Sequence, residues 1–195
     1  MKNGKCLIVA MAVVLTLSFT LTAVLSWAAS KDDVKKQQDD IRNMSKETLS
    51  QLYKLQPSAK EAVSKAAGCA VFSNFGMKIF VAGSGSGKGM AIDNKTKKET
   101  FMKMVELQAG LGFGVKKFRV VWVFEGQQEL DNFINSGWEL GGQTSIAAKA
   151  GDKGGSFAGA MSVKPGVWLY QLTDTGLALE LTGKGTKYYK DKDLN

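Results

Sequence analysis

The chain has 195 residues, 44% of them apolar and 23% charged, with a net charge of +8 and no histidine. Length and composition fit one ordinary globular domain with an appendage and exclude global disorder. The absence of imidazole excludes Ser-His-Asp and Cys-His catalysis and His-ligated zinc, and two cysteines cannot build a four-thiolate metal site.

Residues 1–28 have the layout of an export signal. Lys2 and Lys5 give a basic start, residues 7–25 carry no charge, and Ser26-Trp27-Ala28 puts small residues where a signal peptidase reads them. Cleavage after Ala28 is the expectation. The alternative is an uncleaved anchor, because the uncharged run is long enough to span a bilayer. The expected location is periplasmic or secreted, with membrane attachment if the segment stays. Cys6 precedes the apolar run, so it does not stand where a bacterial lipoprotein carries its lipidated cysteine. Without Lys2 and Lys5, 24 basic and 18 acidic side chains remain, a net charge of +6. Cys69 is then a lone thiol, so no internal disulfide braces the fold. Its neighbours Gly68, Ala70, Val71 and Phe72 predict a buried, inert side chain.

Residues 29–67 read as a helical arm. Apolar residues recur at Ile41, Met44, Leu49, Leu52, Tyr53 and Leu55, at spacings that include three and four. Pro57-Ser58 interrupts the pattern, and a short second helix over 59–67 stops at Gly68. The stripe predicts a docking face; the other reading is a membrane-facing stripe.

From residue 68 to 195 the period changes to two. In 107–115 the odd positions are Leu107, Ala109, Leu111, Phe113 and Val115, while Gln108, Gly110, Gly112 and Gly114 fill the even ones. Glycine makes up about 11% of the chain against a usual share of about 7%. A row of it in a strand implies close approach of another element or a sharply curled sheet. Further strands are expected over 77–83, 88–93, 99–106, 118–125, 138–149, 156–163, 167–173 and 177–187. Residues 118–124 are apolar on both faces, so that strand is central. Asp93-Asn94-Lys95-Thr96, Asp152-Lys153-Gly154-Gly155, Lys164-Pro165-Gly166 and Asp174-Thr175-Gly176 are turn chemistry. One helix, 127–136, carries Leu130, Phe133 and Ile134 on one face and is closed by Gly137. The expected fold is α+β: N-terminal helices followed by a curled, mostly antiparallel, Gly-rich or barrel-like sheet with one inserted helix. The arm packs with the sheet as one domain.

Gly83-Ser84-Gly85-Ser86-Gly87-Lys88-Gly89 is not a phosphate loop. Ala82 holds the first glycine position, Gly89 holds the Ser/Thr position, and strand rather than helix follows. Gly110, Gly112 and Gly114 miss the dinucleotide fingerprint, with Val115 in the third glycine's place. Carboxylate pairs among Glu106, Glu139 and Glu180 are the remaining enzymatic route, as a glycoside hydrolase would use them. Two basic clusters stand out: Lys95, Lys97 and Lys98, and Lys116, Lys117 and Arg119. A basic balance suits anionic lipid or nucleic acid, and export disfavours nucleic acid.

Gly68-Cys69-Ala70-Val71-Phe72 resembles the start of the SYLF domain. The resemblance continues through 80–89, through Gln108-Ala109-Gly110-Leu111-Gly112-Phe113-Gly114 and through Val121-Trp122-Val123-Phe124. It runs on to Trp138-Glu139-Leu140-Gly141, Gly166-Val167-Trp168-Leu169 and Leu177-Ala178-Leu179-Glu180-Leu181. Order and spacing carry it, over nearly all of the exported chain. Ser73 stands where the family commonly has proline, and Ser86 and Lys88 where it has an aromatic and an acidic residue. The resemblance implies a lipid-binding module, found in eukaryotic endocytic proteins that bind phosphoinositides and in bacterial exported proteins. The expectation is therefore a non-enzymatic protein, without cofactor or metal, that binds phospholipid or an anionic membrane surface through Lys95, Lys97, Lys98, Lys116, Lys117 and Arg119. The alternatives are a structural or assembly protein of the cell envelope with a protein partner, and a carboxylate hydrolase.

Overall fold

The computed structural model describes residues 31–79, 82–109, 114–140, 149–150, 155–178 and 185–195. The expected export signal, the turn at Asp152 and Glu180 lie outside them. The chain divides into two compact units, Met1–Gln37 and Gln38–Asn195. Of the first, only the opening of a helix is described.

That helix, α1, is Lys31–Leu55, with Asp32 and Asp33 in its first turn and Lys54 in its last, each suited to the helix dipole. Pro57 precedes α2, Ser58–Lys65. The Asn94 side-chain amide closes α2 by donating to the carbonyls of Val63 and Ala66, at 2.7 and 2.9 Å. No described helix is long and apolar enough to cross a membrane.

The strands β1 Gly68–Ile79, β2 Ala82–Asp93, β3 Glu99–Ala109 and β4 Gly114–Phe124 lead to helix α3, Gln127–Ser136. After it come β5 Trp138–Leu140, β6 Lys149–Ala150, β7 Met161–Lys164, β8 Val167–Thr173, β9 Gly176–Ala178 and β10 Thr186–Lys190. They form one antiparallel sheet in the order β5-β10-β3-β2-β1-β4-β8-β7-β6, with β9 on β8. Strand β4 lies between β1 and β8, central as its two apolar faces require.

The sheet curls. Strands β10 and β4 are four steps apart in the order, about 19 Å along a flat sheet. Yet the rings of Tyr188 on β10 and Trp122 on β4 have centroids 5.4 Å apart. Near the two ends, Lys164 of β7 places its ammonium 4.6 Å from the centre of the Trp138 ring on β5. Phe133 of α3 enters the concave side and touches Phe72, Trp122, Phe124, Trp138 and Tyr188, with centroids 4.9 to 6.2 Å away. The inserted helix thus plugs the curl. The convex face carries a second core, in which Leu52 of α1 and Ala59, Val63 and Ala66 beside it cover Cys69, Val71, Val121, Val123, Tyr170 and Leu172.

In β2, Gly87 and Gly89 stand where side chains would enter the concave face. Gly87 is paired with Met104 and Asn74, and Gly89 with Met102 and Phe72. A Cβ on Gly87 would meet the Ser73 carbonyl and come within 2.7 Å of the Met104 side chain; one on Gly89 would meet the Val71 carbonyl and the Phe72 ring. The neighbouring side chains lean over the bare strand and fill its place.

Four expectations need correction. Residues 77–83, expected as one strand, are divided between the end of β1 at Ile79 and the start of β2 at Ala82. The strand expected over 156–163 begins only at Met161, after a turn in which Gly159 takes a left-handed backbone. Residues 84–87, expected to separate two strands, are part of β2. Residues 107–115, expected as one strand, are divided between β3, which pairs with β2 and β10, and β4, which pairs with β1 and β8. Residues 110–113 lie outside the described ones, and a period of two carries no mark of the chain reversing between β3 and β4.

Candidate functional site

Beside the part of the sheet that α1 covers, Gln51, Ser73, Asn74, Lys117, Phe118, Arg119, Leu172, Thr173 and Asp174 line a groove of about 350 Å³ that takes residues from both faces of the sheet. Strand alternation places Lys117 and Arg119 on the same face of β4. Arg119 is opposite Ser73 on β1 and Leu172 on β8. Asp174, in the turn between β8 and β9, lines the groove with Lys117. Glu47 and Gln51 are one turn apart on α1, and the Glu47 carboxylate reaches the Arg119 guanidinium at 3.5 Å. Lys117 and Asp174 are exposed, while Arg119 is half-buried. The groove therefore presents two cations flanked by two carboxylates.

Lys116 is in the same strand, paired in register with Gly76. Lys95, Lys97 and Lys98 are placed elsewhere. They are exposed on the turn between β2 and β3, where the Asp93 carboxylate accepts the backbone N–H groups of Lys95 and Thr96 at 2.8 and 2.7 Å. Those bonds, the Thr96 N–H first and then the Gln127 amide, hold Asp93 below the usual carboxylate range. Lys97 adopts a left-handed backbone, φ 61°. Asp93 and Phe124 both pair with Gly68, whereas Lys117 pairs with Phe75. Along the strands the Lys95 turn is thus five residues from Arg119 and seven from Lys117, about 17 and 23 Å.

Glu106 and Glu139 do not form a pair. Glu106 is buried on the concave face, where it accepts a hydrogen bond from the Asn74 amide. Glu139 pairs in register with Lys187, the neighbour of Thr186, which pairs with Glu106. One residue of offset sends Glu139 to the opposite face. At the Lys95 end, Glu61, Lys65, Glu125 and Phe157 edge a smaller hollow of about 210 Å³. Phe157 stacks on Trp168 at 4.4 Å, and the Trp168 indole donates to Glu125 at 2.6 Å.

Glu47, Gln51, Ser73, Thr173 and Asp174 were not legible as site residues. Only the polar i, i+4 spacing of Glu47 and Gln51 marks them, and that spacing is ordinary on a solvated helix face.

No family model matches the chain. It is 33% identical over 156 residues to Beta cell expansion factor A of Aeromonas veronii, an alignment covering 79% of this chain and 57% of that protein. The chain thus spans somewhat over half the length of the curated relative it matches.

Proposed function

We propose that this chain is an exported, non-enzymatic protein of SYLF type that binds phospholipid at an anionic membrane surface. The observation that carries the reading is the joint placement of Lys117 and Arg119, adjacent on one strand face, in a polar groove. A guanidinium beside an ammonium suits a phosphate oxygen cluster, the first by its planar fork and the second as a point charge. The order of the SYLF-like segments and the +6 charge of the exported chain support the same reading. Lys95, Lys97 and Lys98, on a separate turn, act at longer range by drawing the protein to an anionic leaflet, each lysine near the surface contributing about 1 kcal/mol. The apolar stripe of α1 is engaged in the fold, so charge rather than insertion drives the encounter.

The test is liposome cosedimentation of the exported chain. Phosphatidylglycerol vesicles should bind more protein than phosphatidylcholine vesicles at low salt, and the excess should fall as salt shortens the screening length to about 8 Å. Charge reversal at Lys117 and Arg119 should lower it further. Equal binding to both vesicles at low salt would refute the reading, and no binding to either would favour an envelope protein partner. N-terminal sequencing checks export, with Ala29 expected first.

A further inference from the structure

We infer that the groove selects a phosphate ester that carries its own ammonium group, as in a phosphoethanolamine headgroup. The inference rests on the membrane-binding reading and narrows it to a headgroup class. A site for a plain anion gains nothing from carboxylates in its wall. Here Glu47 stands 3.5 Å from Arg119, and Asp174 lines the groove together with Lys117. A ligand bearing only negative charge would meet both cations and also face these like charges. A phosphate with a tethered ammonium matches both signs: its phosphate goes to Lys117 and Arg119 and its ammonium to Asp174. Ser73 and Gln51 add neutral hydrogen-bonding groups beside Arg119. The size agrees, since about 350 Å³ is at the small end of ligand sites. The charged and neutral polar groups of the lining suit a headgroup.

The experiment compares O-phosphoethanolamine with inorganic phosphate by calorimetric titration of the exported chain, then adds vesicles. O-phosphoethanolamine should bind more tightly. Asp174→Asn should weaken it about two- to fivefold, the range of an exposed ion pair, and should leave phosphate equal or tighter. Lys117→Gln should weaken both ligands. Circular dichroism melts check that the variants fold. For a lipid source, phosphatidylethanolamine mixed into phosphatidylglycerol vesicles should raise binding over phosphatidylglycerol alone, and Asp174→Asn should abolish that gain. Tight binding of O-phosphoethanolamine without any gain on vesicles would overturn the lipid source and identify a free phosphoamine. Equal affinity for phosphate and O-phosphoethanolamine, or a preference untouched by Asp174→Asn, would overturn the inference itself. Binding to phosphatidylglycerol vesicles in the same preparation would then still uphold the broader membrane reading.

Discussion

Cys69 is 2% exposed, and burial pushes its thiol up from 9.0 to about 12. Burial, and then the nearby Cys69, raises Tyr53 from 10.0 to about 12; burial alone does the same for Tyr170. Burial also lifts Tyr188. These groups are neutral when protonated, so the folded state keeps their protons to higher pH than the unfolded chain does. Their stabilisation is fully present below pH 9 and is lost as pH climbs through about 12. Each titrating group steepens the loss by up to about 1.4 kcal/mol per pH unit. In Cys69→Ala the alkaline fall should begin near the tyrosine value of 10.0 instead of the thiol value of 9.0. Denaturant midpoints across this range read the difference as a slope, separate from any uniform loss caused by the smaller side chain. Parallel wild-type and variant profiles would contradict the assignment.

Helix α1 shows how an amphipathic element divides its apolar residues. Leu52 is fully buried against the convex face, Ile41 is 5% exposed, and Leu55, at the last turn, is 44% exposed. Ser45 and Thr48 complete the buried row at helical spacing, and the Thr48 hydroxyl donates to the Met44 carbonyl at 2.7 Å. A stripe read from hydrophobicity alone therefore includes one exposed leucine and omits two buried hydroxyl residues. Leu52→Ala should cost about 2–5 kcal/mol of stability, as cavity-forming core changes do. Leu55→Ala should stay within about 0.5 kcal/mol. Thermal denaturation of the two variants would reverse this order if the stripe faced a membrane instead of the sheet.

At the scale of the whole sheet, curvature brings remote strands into one aromatic core. Phe72, Trp122, Phe124, Phe133, Trp138 and Tyr188 come from five elements, β1, β4, α3, β5 and β10, and meet across the concave face. The Lys164–Trp138 contact lies at the rim and joins strands near opposite ends of the sheet order. Trp122→Ala should cost about 3–5 kcal/mol, because its ring fills the space that the curl encloses. Lys164→Met, which keeps the aliphatic stem and removes the charge, should cost only about 0.5–1 kcal/mol. Urea unfolding distinguishes them. A Trp122→Ala cost below that of Lys164→Met would mean that the rim, not the packed interior, holds the curl closed.

Periodicity is set by the backbone a few residues at a time, and what depends on it was readable in the sequence. The helix at 127–136, the strand at 167–173, the central position of 118–124 and the burial of Cys69 all follow from neighbours along the chain. The glycine-rich character pointed to close approach or a curl, and Gly87 and Gly89 of β2 show the close approach; Gly110 and Gly112 lie outside the described residues. Register across distant strands decided the rest. It joined Lys117, Arg119 and Asp174 in one groove with Glu47 beside Arg119, set Lys95, Lys97 and Lys98 toward the other end of the strands, and turned Glu106 and Glu139 to opposite faces. A single-residue shift in pairing inverts such a face while leaving every local pattern intact, so only the folded sheet could decide which charges meet.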